Sequence, residues 1–227
     1  MTRFFDILFS LLAIIVLLPF MIPIMIGLKL TGEHDIFYKQ MRVGKGGKEF
    51  GLLKFATMLR NSPNLPGGLF TSENDPRMLP MGKFLRKTKI NELPQLINIL
   101  KGDMSVIGYR PQTRSHYDYF PEEDKAILRR STPGLSGIGS IAFRNEEEIM
   151  QEVKKETGSD EGREKFYGEV LSPYKSKLEC WYVQHKNIGM YFKLIWLTVI
   201  AVLSPGSNSW KNLPDIPEVP DELKKYI

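Results

Sequence analysis

Residues 7–28 read ILFSLLAIIVLLPFMIPIMIGL, running from Ile7 to Leu28 without one charged side chain. As a straight helix the stretch would be about 33 Å long, enough to cross a hydrocarbon core of about 30 Å. A signal peptide fits poorly, because the apolar run is too long and no small-residue cleavage site precedes Lys29. Pro19 and Pro23 each remove a backbone donor and clash with the preceding turn, so the helix is expected to bend or break near its middle. That leaves two topologies: a kinked span, or a re-entrant hairpin that enters and leaves by one face. Lys29, Lys39, Arg42, Lys45, Lys48 and Lys54 follow the segment, which places the main domain in the cytoplasm. Arg3 and Asp6 are too few to fix the side of the N-terminus. A second apolar stretch, Tyr191 to Leu203, is short for a span and is expected to lie against the membrane surface or the core.

The remainder has the composition of a folded protein. Of 227 residues, 42% are hydrophobic and 25% charged, which excludes bulk disorder and allows one substantial domain. A single cysteine, Cys180, cannot form an internal disulfide and fits a reducing compartment. His34, His116 and His185 show no metal-ligand spacing. The net charge of +5 favours a phosphorylated ligand or an anionic membrane. Nucleic acid is disfavoured, because no binding motif is present and the basic residues are interleaved with acids.

Periodicity and punctuation suggest mainly α structure with a few short strands, an α+β class. Strands are expected at Asp35–Tyr38 and Glu49–Met58, separated by a basic glycine turn over 42–48. Gly44, Gly46 and Gly47 lack the Walker spacing, so the turn is not read as a phosphate loop. A long loop spans Asn61 to Pro80. Helices are expected at Met81–Thr88, Asn91–Leu100, Pro121–Arg130, Asn145–Thr157 and Glu164–His185, the last broken or kinked at Pro173. Three units follow: residues 1–30 in the membrane, 31–204 as the cytoplasmic domain, and 205–227 as an extended, proline-rich tail.

The chemistry is concentrated in Lys83-Phe-Leu-Arg-Lys-Thr-Lys-Ile-Asn-Glu-Leu-Pro-Gln-Leu-Ile-Asn-Ile-Leu-Lys-Gly-Asp-Met-Ser105, continuing through Val-Ile-Gly-Tyr-Arg-Pro111. Asn91 reads as an N-cap, Glu92 sits in the first turn, and Pro94 is tolerated there. A capped helix accounts for these residues without any catalysis. The flanking Arg86, Lys87, Lys89 and Arg110 add a further reading, in which cations and free N–H groups converge on an anion. A diphosphate needs such neutralisation, usually with a divalent cation on a carboxylate such as Glu92 or Asp103.

These motifs resemble the bacterial sugar transferases, the monotopic phosphoglycosyl transferases that start glycan assembly on a lipid carrier. The resemblance covers most of the chain: the kinked apolar segment, Phe37 to Gly44, Lys54-Phe-Ala-Thr-Met58, Asp75-Pro-Arg77, Glu92-Leu-Pro-Gln-Leu96, Lys101-Gly-Asp-Met-Ser105, Arg110-Pro111 and Pro133-Gly134. It implies a re-entrant N-terminal helix with both ends cytoplasmic, packed on a compact domain with interfacial amphipathic helices at the bacterial inner membrane. It also implies transfer of a sugar 1-phosphate from a nucleotide diphosphate sugar, commonly a UDP-sugar, to polyprenyl phosphate with Mg²⁺. Initiation of lipopolysaccharide, capsule, exopolysaccharide or glycoprotein synthesis follows. The implied partners are those two substrates and the membrane, with self-association or other glycan-assembly enzymes as further classes. Carried residue by residue, Glu92 is the family's assisting glutamate. Lys54, Arg77, Arg86 and Arg110 become phosphate or structural contacts.

The chain departs from the pattern at the nucleophile, where the usual aspartate is Asn91. A carboxamide carries no charge and is a poor nucleophile. Ala56 replaces a usual basic residue, Tyr109 a common proline, and Leu18 the serine before the membrane proline. Direct transfer, attack by Glu92, or a catalytically inactive scaffold bound to the membrane are the readings these departures leave. Release of UMP from a UDP-sugar separates the first two from the third.

Overall fold

The N-terminal apolar stretch folds as one uninterrupted helix, α1 (Thr2–Leu30), in the computed structural model, which describes residues 2–65, 75–204 and 206–227. Pro19 and Pro23 lie inside it without breaking it. It is long and apolar enough to cross a membrane. Its packing has a different character. Phe5 and Phe9 pack at one end, Ala13, Ile14 and Leu17 in the middle, and Met21, Ile24, Met25 and Leu28 at the other, all against the folded domain. The opposite face, including Leu8, Leu12, Ile15, Phe20 and Ile26, is exposed. Two polar side chains tie the helix to the domain by hydrogen bonds. Asp6 is buried and accepts hydrogen bonds from Ser105 Oγ (2.8 Å), Val106 N (2.8 Å) and Tyr191 Oη (2.9 Å). Arg3 donates to the carbonyls of Ile99 (2.5 Å) and Leu100 (2.8 Å), at the carbonyl-rich end of a later helix.

The expected strands form one antiparallel hairpin, shifted along the chain: β1 (Phe37–Val43) and β2 (Glu49–Phe55), registered from Phe37 opposite Phe55 to Val43 opposite Glu49. Gly46 and Gly47 close it at φ of 71° and 73°, a conformation that suits glycine. Part of the expected Asn61–Pro80 loop, residues 66–74, lies outside the described residues, as does Pro205, where the expected tail begins.

Two short helices follow, α2 (Gly82–Lys87) and α3 (Gln95–Lys101). The expected start at Asn91 is corrected. Pro94 has no N–H to give Ile90, and the chain closes with tighter bonds, Leu93 N to Ile90 O and Ile97 N to Pro94 O (3.0 Å). Ile90–Glu92 is therefore a 3₁₀ turn, and Asn91 caps nothing. Asn98 stitches α3 to β2, accepting from Leu53 N (2.9 Å) and donating to Gly51 O (2.9 Å). That seam brings the 3₁₀ turn alongside the hairpin.

After α3 the chain forms β3 (Ser105–Ile107), α4 (Arg114–Asp118), α5 (Glu122–Leu128) and β4 (Gly134–Ser136), with β3 and β4 paired in parallel. Gly108 and Gly134 pass so closely that a Cβ on Gly134 would stand 2.0 Å from Gly108 N, which leaves no room for any other residue. Then come α6 (Ile138–Ala142), α7 (Glu146–Thr157), α8 (Asp160–Phe166), α9 (Ser172–His185) and α10 (Ile188–Leu203). A π turn over Tyr167–Leu171 joins α8 to α9 and absorbs Pro173 without a break. Asn187 caps α10 by accepting from Met190 N (2.9 Å).

The tail is corrected too. Trp210, Leu213 and Leu223 are buried in the main apolar core with Tyr174 and Trp181. Tyr174 Oη and Trp181 Nε1 donate to the carbonyls of Pro217 (2.9 Å) and Pro214 (3.1 Å). Proline there sets the path of an ordered strap. Three well-spaced apolar anchors hold it down.

Candidate active site

A cavity of about 930 Å³ opens between the hairpin, the 3₁₀ turn, the loop after β3, and α6, α7 and α10. Strand alternation puts Tyr38, Gln40 and Arg42 on its wall, and Lys54 lies across the ladder from Tyr38. At its centre the guanidinium of Arg110 grips Glu92 with two nitrogens, Nη2 to Oε1 at 2.7 Å and Nη1 to Oε2 at 3.4 Å. Glu92 is 16% and Arg110 29% exposed, so the pair is shielded but reachable.

Arg110 is aimed by its backbone. Its N–H donates to Glu179 Oε1 at 3.0 Å, and Glu179 is fully buried on α9. One turn earlier on the same helix, buried Lys175 pairs with Glu146 on α7. Burial pushes Glu179 up to about 7, against backbone hydrogen bonds from Arg110 and Gly139 that pull it down.

The electrostatics of the centre follow from the count of charges. Burial alone would raise the Glu92 pKa, but Arg110, Lys54 and Lys89 hold it at about 2, so the carboxylate stays ionised. Glu92 in turn raises Arg110. Burial and then Arg110 lower Arg42 to about 10, and burial and then Arg42 lower Lys54 to about 7. Arg42 spends two nitrogens on Pro111 O (3.1 Å) and Gln40 Oε1 (2.8 Å), and its buried Nε has no partner. Among the described residues no carboxylate pairs with Lys54 within ion-pair distance. Arg42, Lys54, Lys89 and Arg110 thus all act on one carboxylate, and the site has a positive surplus that an anion would satisfy.

The residues expected from sequence are not all equal in space. Asn91, Glu92, Lys54, Arg86 and Arg110 all face the cavity. Arg86 holds Glu147 at 2.6 Å. Arg77 borders the cavity, but its guanidinium is fastened to Asp75 (2.6 Å and 2.8 Å) and to Ser62 O (3.2 Å), a structural tie rather than a phosphate contact. Asp103 stands beyond the other end of α3, outside the cavity wall, where it accepts from Asn98 Nδ2 (3.2 Å). The geometry offers Glu92 and Asp103 no shared cation. Asn91 is 6% exposed and its Oδ1 has no partner. Ala56 is buried, with its methyl group in the core. Sequence reasoning missed Arg42, Glu146, Lys175 and Glu179. For Arg42 the signal was the alternation Tyr38, Gln40, Arg42; the other three needed the third dimension.

A divalent ion has limited protein support here. Among the described residues no three acidic, histidine or cysteine side chains cluster. The donors at hand are the Glu92 carboxylate and the unpartnered Asn91 Oδ1, a set suited to Mg²⁺ that brings phosphate oxygens with it.

Comparison with known proteins points the same way. Residues 1–205 match the family model described as bacterial sugar transferase. The chain is similar to the exopolysaccharide production protein ExoY of Sinorhizobium fredii, with 34% identity over 68% of this chain and 74% of that protein. A UDP-N-acetylgalactosamine-undecaprenyl-phosphate N-acetylgalactosaminephosphotransferase of Aeromonas hydrophila is 40% identical over 61% of this chain and 33% of its own length. A UDP-glucose:undecaprenyl-phosphate glucose-1-phosphate transferase of Xanthomonas campestris is 31% identical over 87% of this chain and 38% of its own length. The chain therefore spans about three quarters of the first relative and about a third to two fifths of the other two.

Proposed function

Because this chain belongs to the bacterial sugar transferase family, we propose that it moves a sugar 1-phosphate from a nucleotide diphosphate sugar to polyprenyl phosphate. The observation that carries the reading is the positive surplus around Glu92 and Arg110, in a cavity with the apolar helix α10 on one side. Arg42, Lys54 and Arg110 bind the diphosphate. Arg110 also holds Glu92 in place and ionised. Charge developing on the leaving nucleotide is met by fixed cations already turned toward it.

Transfer proceeds in one step. An oxygen of the acceptor phosphate attacks the β-phosphorus, the bond to the bridging oxygen breaks, and the nucleoside monophosphate leaves with that oxygen. Asn91 carries no charge with which to attack, and both oxygens of Glu92 are engaged by Arg110. Mg²⁺ arriving with the donor would supply further neutralisation, with Glu92 and Asn91 Oδ1 as its protein oxygens.

The enzyme sits on the cytoplasmic face of the bacterial inner membrane. Contact between α1 and the domain from Phe5 to Leu28 supports a helix seated along the domain, with both ends on the domain's side, over a crossing, since a crossing helix would leave the domain behind. The exposed apolar face of α10, with Phe192 and Trp196, extends that surface as an interfacial helix.

The decisive assay combines purified protein, undecaprenyl phosphate, Mg²⁺ and a panel of UDP-sugars, with UMP release measured. Release with no sugar-phosphate adduct in the intact mass is expected. No UMP from any donor, with lipid binding intact, refutes the catalytic reading. Periplasmic labelling of an N-terminal tag in intact cells refutes this one-sided seating.

A further inference from the structure

The cavity is larger than its charged centre, and its far wall has a different chemistry. There the lining comes from Val106 on β3, Leu135 on β4, and Ile195 and Val199 on α10. Two hydroxyls interrupt this wall, and both are occupied: Ser136 Oγ and Thr198 Oγ1 lie 2.8 Å apart, and Thr198 Oγ1 donates to Leu194 O at 2.7 Å. A nucleobase or a sugar would leave its donors and acceptors unmatched against such a wall. A hydrocarbon loses nothing there.

The angular order of α10 shows where this wall leads. At about 100° per residue, Met190, Leu194, Leu197 and Ala201 form the buried face, while Ile188, Phe192, Trp196 and Val202 form the exposed one. Thr198 lies at the border between them, while Ile195 and Val199 fall within the exposed sector and line the cavity as well. Val199 belongs to both surfaces, since it lines the cavity and is 40% exposed. The apolar arm of the cavity therefore opens onto the exposed apolar face of α10. That face continues onto α1, where Phe5 and Phe9 meet Phe192 with ring centroids at 5.0 Å and 6.2 Å.

We propose that Val106, Leu135, Ile195 and Val199 form the seat of the first isoprene units of the lipid acceptor, leading its phosphate from the membrane surface to Arg110. The assignment rests on the transferase reading and adds to it the groove along α10 by which the acceptor enters. The occupant is an isoprenoid phosphate rather than a bilayer acyl chain, because only a chain ending in phosphate satisfies both the apolar arm and the cationic centre to which it leads.

The test uses the full-length protein in detergent with a UDP-sugar and acceptor phosphates of one, two, three and more isoprene units. KM for the acceptor should fall with each early unit and then level off. Ile195→Ala should raise KM about tenfold for acceptors of two or more units, while KM for the one-unit acceptor and for the donor stays within about twofold. Val199→Trp, at an exposed position that tolerates bulk, should do the same by blocking the mouth. Equal effects on short and long acceptors, or no dependence on length in the wild type, overturn the proposal. No UMP with any acceptor sinks the transferase reading itself, a distinguishable result. A benzophenone-bearing prenyl phosphate on the unaltered protein adds a readout independent of folding. Label on Leu135, Ile195 or Val199 supports the seat. Label confined to Trp196, Leu203 or α1, or equal labelling by a benzophenone phospholipid that prenyl phosphate does not displace, overturns it.

Discussion

Lys54 makes donor binding depend on pH in a direction and by an amount that can be worked out. Its ammonium is lowered from an ordinary value of 10.5 to about 7, by burial first and by Arg42 next. A bound diphosphate reverses that imbalance and restores the charge. Below pH 7 the amine is protonated with or without ligand, and affinity is flat. Above it the free protein loses a charge that the complex keeps, so affinity falls. With a bound-state pKa above the range tested, affinity at pH 8 should be about fivefold weaker than at pH 7, with uptake of about half a proton at pH 7. Other groups near the centre are accounted for. Glu92 at about 2, His116 at about 4 and Arg42 at about 10 do not titrate between pH 6 and 8.5. Glu179 at about 7 does, and its ionisation beside the Arg110 backbone acts in the same direction. Titration calorimetry of a UDP-sugar in buffers of different ionisation enthalpy measures both slope and proton uptake. Lys54→Arg, charged throughout, should flatten the profile, whereas Glu179→Gln should leave most of it. A flat wild-type profile, or a slope in Lys54→Arg as steep as the wild type's, refutes the assignment.

Three further outcomes follow from the same geometry. Arg110→Gln releases Glu92 and removes a phosphate contact, so kcat/KM should fall by about a hundredfold or more, with the helix content by circular dichroism unchanged. Trp210→Ala empties a fully enclosed site in the core and should cost about 3–5 kcal/mol of stability, read from denaturant unfolding in detergent. Asn91→Asp places a carboxylate on the cavity wall next in sequence to Glu92, and a sugar-phosphate adduct absent from the wild type should appear in the intact mass after donor addition.

The sequence exposed the membrane helix at once, because 22 uncharged residues have few other uses, and the hairpin, because glycines punctuate it. It hid the inner face of α1, since Asp6 looks like a flanking polar residue until its partners Ser105, Val106 and Tyr191 are known. It misled about the tail, where proline-rich composition suggested extension and only Trp210, Leu213 and Leu223 pointed to packing. Glu92 and Arg110 were recognisable as one cluster from charge and order, and Lys54 joined them only through the family resemblance. Arg77 and Asp103 carried the same chemical promise, and neighbours separate them: Asp75 takes one, and the far end of α3 takes the other. The parallel pair β3–β4 is three residues a side and rests on glycine contacts, a feature without periodicity to read.

The carboxylate at position 6 has one more implication. It fastens the first turn of the apolar N-terminal helix to the strand that runs on to Arg110, and to a tyrosine 185 residues away. A water-soluble version made by trimming the first thirty residues would therefore lose a keystone of the catalytic half, and leave Ser105, Val106 and Tyr191 with unanswered donors facing a bare seam. Docking of this helix and completion of the frame around Arg110 are thus linked, and the full chain rather than a truncated one is the route to working material.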